Sequence, residues 1–164
     1  IFEPLGMKNS YTQGYSEPAI KSEYPVARYY INNIDGSTLK NFPGIDYTGG
    51  GVVATLEDYL KFMKALVNKK LINNETLQLM LSDDVKKYPT IHYGYAIWKF
   101  ITIPVLMPEK YSCWGCVGAT GAFMFFHPKT ESFIIGSFND VSYRSKALRF
   151  MLTKVIKQLL KGDN

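Results

Sequence analysis

The chain has 164 residues, 46% of them hydrophobic and 20% charged, with a formal net charge of +5; this is ordinary globular usage and enough length for one domain around a single core. No apolar run reaches the roughly 18 residues of a membrane span. Two cysteines are too few for a disulfide scaffold, and the lysines are spread over helix-like segments without the dense block or recognition motif that nucleic-acid binding would require.

The first 49 residues read as irregular, rich in Tyr, Asn, Pro and Gly, with a short strand expected around Arg28 to Ile34. The opening Ile1-Phe2-Glu3-Pro4 lacks the Met and basic residues of a leader and reads as the middle of a protein, so the compartment is not legible. Ser37-Thr38-Leu39-Lys40 fits the Ser-x-x-Lys pattern in which helical spacing brings an amine to a hydroxyl as its base, and Tyr30-Ile31-Asn32 fits an accompanying Tyr-x-Asn. Pro43 and the glycines at 36 and 44 forbid the sustained helix that such a pair needs. Both matches read as accidental. Gly49-Gly50-Gly51 is not followed by the Gly-Lys-Ser/Thr of a phosphate loop and reads as a turn into Val52.

Thr55-Leu56-Glu57-Asp58 then predicts a helix start, with a hydroxyl cap and acids near the positive end. Leu56, Tyr59, Leu60, Met63 and Leu66 recur on one face, and the helix is expected to end near Lys69 or Lys70. A second, shorter helix runs from Asn73 to about Leu81. Strands follow at Tyr93 to Ile101, at Tyr111 to Val117, and as a hairpin covered on both faces in "AFMFFHPKTESFIIGSF", turning at Pro128. Ser142 to Lys161 is a helix with an apolar stripe of Leu148, Met151, Leu152, Val155, Ile156 and Leu159, suited to docking on a sheet. The pattern is α+β: an antiparallel meander sheet with packed helices.

Cys113-Trp114-Gly115-Cys116 invites a redox or zinc reading. A redox Cys-x-x-Cys normally opens a helix, which depresses the thiol pKa, but Val-Gly-Ala-Thr-Gly follows here. Positions three apart on a strand face opposite ways. Zinc would need two further ligands, and the only histidines are His92 and His127. Two separate thiols in a β-segment is the favoured reading, with no metal and no cofactor.

Four stretches in order carry a resemblance. "IFEPLGM", "GGGVVATLEDYLKFMKAL", "HYGYAIW" and "GCVGATGAFMFFHPKTESFIIGSFND" resemble successive segments of the serine β-lactamase and D-alanyl-D-alanine peptidase group, of the class C type that includes esterases. The resemblance implies that residues 1–164 are the C-terminal portion of a larger hydrolase domain. The nucleophilic Ser-x-x-Lys and the Tyr loop would then precede Ile1, leaving this part catalytically silent alone. It aligns Cys116, Val117 and Gly118 with the family's third motif, where Lys or His is usual at the first position. A cation there would help bind an anionic substrate group and tune the serine's proton relay; a neutral thiol supplies neither fully. The resemblance assigns half of an oxyanion hole to the amide of Ala119, close backbone approach to Gly118, and a place near the substrate carboxylate to Asn139. It further implies a peptidoglycan-like peptide, a β-lactam or an ester as substrate, an extracytoplasmic bacterial setting, and an unpaired apolar edge at Phe133 to Phe138 through which the chain self-associates. A non-catalytic binding module with the same fold is the rival reading, favoured by Cys116 in place of a cation. A redox module comes third.

Overall fold

The computed structural model describes residues 1–23, 25–38, 49–82, 85–101 and 108–162. The N-terminal segment is mostly turns, tied down by short pairings. Tyr11–Thr12 (β1) pairs with Val52–Val53 (β4), and Tyr30–Ile31 (β2) with Ile34–Asp35 (β3), all antiparallel. The single strand expected around Arg28 to Ile34 is thus a minimal hairpin. It reverses because Asn32 and Asn33 both take positive φ (49° and 67°), a conformation asparagine tolerates better than most residues. Ser37 folds back on Asp35, its N–H donating to Oδ1 at 3.0 Å and its hydroxyl donating to the same oxygen. Lys40 lies outside the described residues.

Leu56–Val67 (α1) begins where the capping pattern places it. Thr55 is extended and its hydroxyl accepts from the Asp58 N–H at 3.2 Å. The helix stops short of the expected Lys69. Lys69 turns to φ 60°, and the N–H groups of Lys69 and Lys70 reach back to the carbonyls of Leu66 and Ala65, a left-handed stop that needs no glycine. Asn74–Ser82 (α2) follows, with Asn73 Oδ1 accepting from the Thr76 N–H at 2.8 Å.

The centre is a six-stranded antiparallel sheet in unbroken chain order: Val85–Tyr88 (β5), Ile91–Tyr93 (β6), Trp98–Phe100 (β7), Cys113–Val117 (β8), Ala122–His127 (β9) and Ser132–Ser137 (β10). The strand expected from Tyr93 to Ile101 is corrected to a hairpin. Gly94 N–H donates to the Ile97 carbonyl at 2.8 Å and Ala96 takes φ 59°, so the chain reverses between Tyr93 and Trp98, which pair with each other. β8 starts at Cys113, because Glu109–Tyr111 is a 3-10 turn. The β9–β10 hairpin turns through Pro128–Thr130 and a left-handed Glu131, as the Pro128 signal implies.

Both faces of the sheet are covered. Phe123, Phe125 and Ile134 pack with Phe100 and Cys113 against Ala147, Leu148, Met151 and Ile156 of the last helix. Met124, Phe126, Phe133 and Ile135 lie with buried Trp114 against Met63, Leu66 and Leu77 of α1 and α2. The alternating apolar stripes of β9 and β10 therefore serve opposite layers. The last helix runs from Arg144–Phe150 (α3) through a π-helical stretch, Met151–Ile156, into Lys157–Gly162 (α4). Its stripe docks on the sheet, and no described helix is long and apolar enough to cross a membrane. Among the described residues β10 is paired on one side only, by β9, so Phe133 does lie on an edge strand.

Two buried polar groups hold the layers to their flanks. Asp58, 1% exposed, accepts from the Asn9 N–H and the Ser10 hydroxyl, both at 2.9 Å, and from Lys61 Nζ at 2.7 Å. This clamps the N-terminal segment to α1. Burial opposes ionisation of Asp58, but the hydrogen bonds from Lys61, Ser10 and Asn9 outweigh it and hold the carboxyl below its ordinary value. His127, fully buried, has Nε2 at 2.8 Å from the Lys110 carbonyl and Nδ1 at 2.8 Å from Thr130 Oγ1. A carbonyl only accepts, so Nε2 carries the proton.

Candidate functional site

The site grows from β8 and the turn after it. Gly115 in mid-strand is paired with Trp98 on one side and Phe125 on the other, and a Cβ there would lie 2.0 Å from the Met124 carbonyl oxygen. Only glycine lets β9 come this close. A Cβ on Gly118 would meet little besides Ala122 Cβ at 3.4 Å.

The turn itself is built by backbone. Gly118 N–H donates to the Ala122 carbonyl at 2.7 Å, Gly121 takes φ 77°, and the N–H groups of Phe138 and Asp140 reach the carbonyls of Gly121 and Thr120. These bonds hold the loop between Val117 and Ala122 against the end of β10. At its tip Ala119 is exposed, and among the described residues its N–H has no acceptor. An exposed amide on a braced turn, with no acceptor among the described residues, has the chemistry of a donor to an oxyanion.

Below the turn lies a cleft of about 560 Å³ lined by Val85, Lys87, Tyr93, Trp98, Cys116, Val117 and Arg144, among others. Cys116 and Val117 are therefore at one site. Both thiols are free. Cys113 is buried in the core, and burial pushes its thiol up to about 12. Burial also raises the Cys116 thiol, opposed by a contact with the Val117 carbonyl and by the nearby Arg144 charge. Neither has the depressed pKa of an activated cysteine. Burial, and then Cys116, raise the phenol of Tyr59 on α1, whose hydroxyl donates to the Val52 carbonyl at 3.1 Å.

Asn139 stands apart from the cleft lining. It takes φ 54° at the end of β10, its Oδ1 accepting from the Ser137 hydroxyl at 2.5 Å and its carbonyl accepting from the Tyr30 N–H at 2.8 Å. It stitches the N-terminal segment to the sheet. Among the described residues no group of three or more His, Cys, Asp and Glu is placed to hold a metal ion.

Sequence reasoning missed Lys87 and Arg144. Lys87 Nζ stands 4.5 Å from the centre of the Trp98 ring and Arg144 Cζ 5.7 Å from the same centre. The two cations come from strands and helices far apart in the chain, with no spacing to announce them. Cation-rich flanks beside an aromatic strand are the one signal that was present.

The arrangement has close counterparts among solved structures. A D-stereospecific amidohydrolase from Streptomyces sp. superposes with a TM-score of 0.67 at 20% identity over 94% of this chain. D-amino acid amidase from Ochrobactrum anthropi SV3, complexed with L-phenylalanine, gives 0.65 at 19% over 99%. A penicillin-binding protein from Bacillus halodurans gives 0.59 at 17% over 92%. No family model and no curated protein matches the chain. At these identities the likeness is one of fold: the chain has the fold of the C-terminal part of the serine β-lactamase and penicillin-binding group. It spans about half the length of the structures it matches, 46% to 48% of each.

Proposed function

We propose that this chain forms one wall of the acyl pocket of a serine hydrolase acting on an amide, ester or β-lactam carbonyl. In this reading Ala119 N–H is half of the oxyanion hole, Cys116 and Val117 line the pocket, and Gly118 sets the turn. Asn139 lies near a substrate carboxylate, and the attacking serine with its lysine base comes from other polypeptide. The serine would form an acyl-enzyme that water resolves. The substrate in this reading is a peptidoglycan-like peptide, a β-lactam or an ester. The free edge of β10 is where a further strand, or a second copy of the chain, would pair. The observation that supports the reading most is the exposed Ala119 amide, which has no acceptor among the described residues, braced beside a cleft on a fold shared with a D-stereospecific amidohydrolase.

The 164-residue chain alone should release nothing from nitrocefin or a p-nitrophenyl ester. Turnover abolished by Ser37→Ala would overturn the assignment of the nucleophile to other polypeptide. In the native source, the molecular species containing this sequence, captured by an antibody to residues 128–139, should carry one serine labelled by a fluorophosphonate within a Ser-x-x-Lys peptide. A species with no such serine favours the second reading, a binding module of the same fold, for which the neutral thiol at Cys116 is the specific support.

A further inference from the structure

We propose that two copies of this chain pair edge to edge along β10, antiparallel about a two-fold axis centred on Ile135, to make one continuous sheet. The inference concerns association and not chemistry, and it stands whether or not a serine completes the acyl pocket.

The backbone fixes the register. Phe138 N–H donates to the Gly121 carbonyl at 3.2 Å, continuing the ladder in which Ser137 faces Ala122 and Gly136 faces Phe123. Backbone groups of an antiparallel strand alternate between its two sides, so Ser132, Ile134 and Gly136 turn theirs to β9. Those of Phe133, Ile135 and Ser137 point away from the sheet, where no described strand lies. Asn139 is next in that outward row, and its carbonyl already accepts from Tyr30 N–H at 2.8 Å, which closes the open stretch at that end. A two-fold axis sets a strand against its own copy in reverse. One antiparallel register uses all three open residues of each copy: Ile135 against itself, and Phe133 against Ser137 in both directions. Each such pair exchanges two hydrogen bonds. The next register either way sets Phe133 or Ser137 against a residue beyond the strand.

The side chains suit the same register. Ser132 to Phe138 reads SFIIGSF, without the charge or proline that normally blunts an edge. Ile134 of one copy stands opposite Gly136 of the other, and Phe133 opposite Ser137, large against small each time. A Cβ on Gly136 would lie 2.9 Å from Phe123 Cζ, so the Phe123 ring covers Gly136 and is what the incoming Ile134 meets. With Phe150, Val155 and Leu159, Phe123 also lines a groove of about 470 Å³ between β10 and the last helix, and none of its lining residues is charged. Glu131 falls opposite Asn139, so no like charges face one another.

Size sets the strength. Six strand residues span about 20 Å and the layers on the two faces add about 10 Å each, so roughly 400 Å² per copy is covered. That is about half of what a stable interface buries per partner, and the association is reversible and weak. It stops at two copies, because the other edge of the sheet, β5, carries Lys86 and Lys87, and lysines blunt an edge.

The test is sedimentation equilibrium of the full chain from about 10 μM to about 1 mM, the range that a contact of this size requires. The chain should pass from monomer to dimer and go no further. Ser137→Lys, at an exposed edge position, should weaken the dimer by roughly ten-fold or more. Val85→Lys, on the opposite edge and 74% exposed, should leave it unchanged. The register is read on the unaltered chain, by mixing differently labelled copies: an NOE between the Ile134 and Gly136 α-protons of different copies is expected. A monomer at the highest concentration, open-ended polymerisation, inter-copy NOEs in another register, or equal effects of Ser137→Lys and Val85→Lys in proteins that circular dichroism shows to be folded would each overturn the proposal. None of these readings depends on turnover, so they leave the acyl-pocket reading to its own test.

Discussion

Gly115→Ala isolates the packing on which the wall of the cleft depends. The added methyl would lie 2.0 Å from the Met124 oxygen, 2.7 Å from Phe125 Cα and 2.9 Å from the Met124 carbonyl carbon. All three are backbone atoms of β9, the neighbouring strand, so no flexible side chain can swing aside. Relief requires β8 and β9 to part locally, at a cost of about 1–3 kcal/mol for overpacking and about 1 kcal/mol for each ladder hydrogen bond weakened. Alanine's smaller unfolded-state entropy returns about 0.4–1 kcal/mol. The net is a loss of about 3 kcal/mol, or a fall in Tm of roughly 6–12 °C for a domain of this size. Gly118→Ala, three residues on, meets only ordinary contact and should stay within about 0.5 kcal/mol of the parent, the usual range for a replacement free of such clashes. Thermal melts by far-UV circular dichroism and urea titrations of both variants, at one protein concentration, decide the matter. A Gly115→Ala protein melting within 2 °C of the parent (about 1 kcal/mol or less), or a Gly118→Ala protein equally damaged, would refute the claim that β8 and β9 leave no room for a side chain at Gly115.

Two further outcomes follow from buried groups. Because hydrogen bonding holds the folded Asp58 carboxyl below its ordinary value, its contribution is complete above the unfolded value, near pH 4, and is lost as the pH falls through the lowered one. Asp58→Asn should therefore cost about 1–3 kcal/mol at pH 7, with the gap to the parent closing below about pH 4; a gap independent of pH would remove the carboxylate from the account. For the thiols, the burial that raises Cys113 to about 12 should leave it inert to a disulfide reagent at pH 8 until the protein unfolds. Cys116 should react slowly in the folded state, and Cys116→Ser should abolish that signal. Rapid reaction of both would overturn the burial account, and an internal disulfide on mild oxidation would show that the two sulfurs meet.

What was legible in the sequence was whatever a few neighbouring residues decide. Thr55 with Asp58 marks a helix start because the cap is a local hydrogen bond. Pro128 marks a hairpin because it ends a strand, and the doubly apolar runs around it show that both faces are covered. The hairpin inside "YGYAIWKFI" was hidden because its reversal depends on Ala96 at positive φ, a conformation alanine's chemistry does not advertise. β5 was missed because Val85–Tyr88 is exposed throughout and holds its place through pairing with β6. The π-helical stretch within the last helix, Met151–Ile156, has no sequence signal that we can identify. Within the site, the turn from Gly118 to Gly121 could be read from its glycines. The meeting of Lys87 and Arg144 at Trp98 could not, since it arises only when β5 and α3 are folded onto one rim.

The sheet has a kinetic consequence as well. Within the sheet every strand after β5 pairs with the one before it in the chain, so no strand of the sheet waits for a distant partner and every closing loop is comparatively short. Loop-closure entropy grows with the length enclosed, and topologies dominated by neighbouring contacts fold faster than those that join remote segments. Zipping from the β9–β10 turn towards β5 would raise the floor of the cleft as one growing ribbon, with the last helix closing over it at the end.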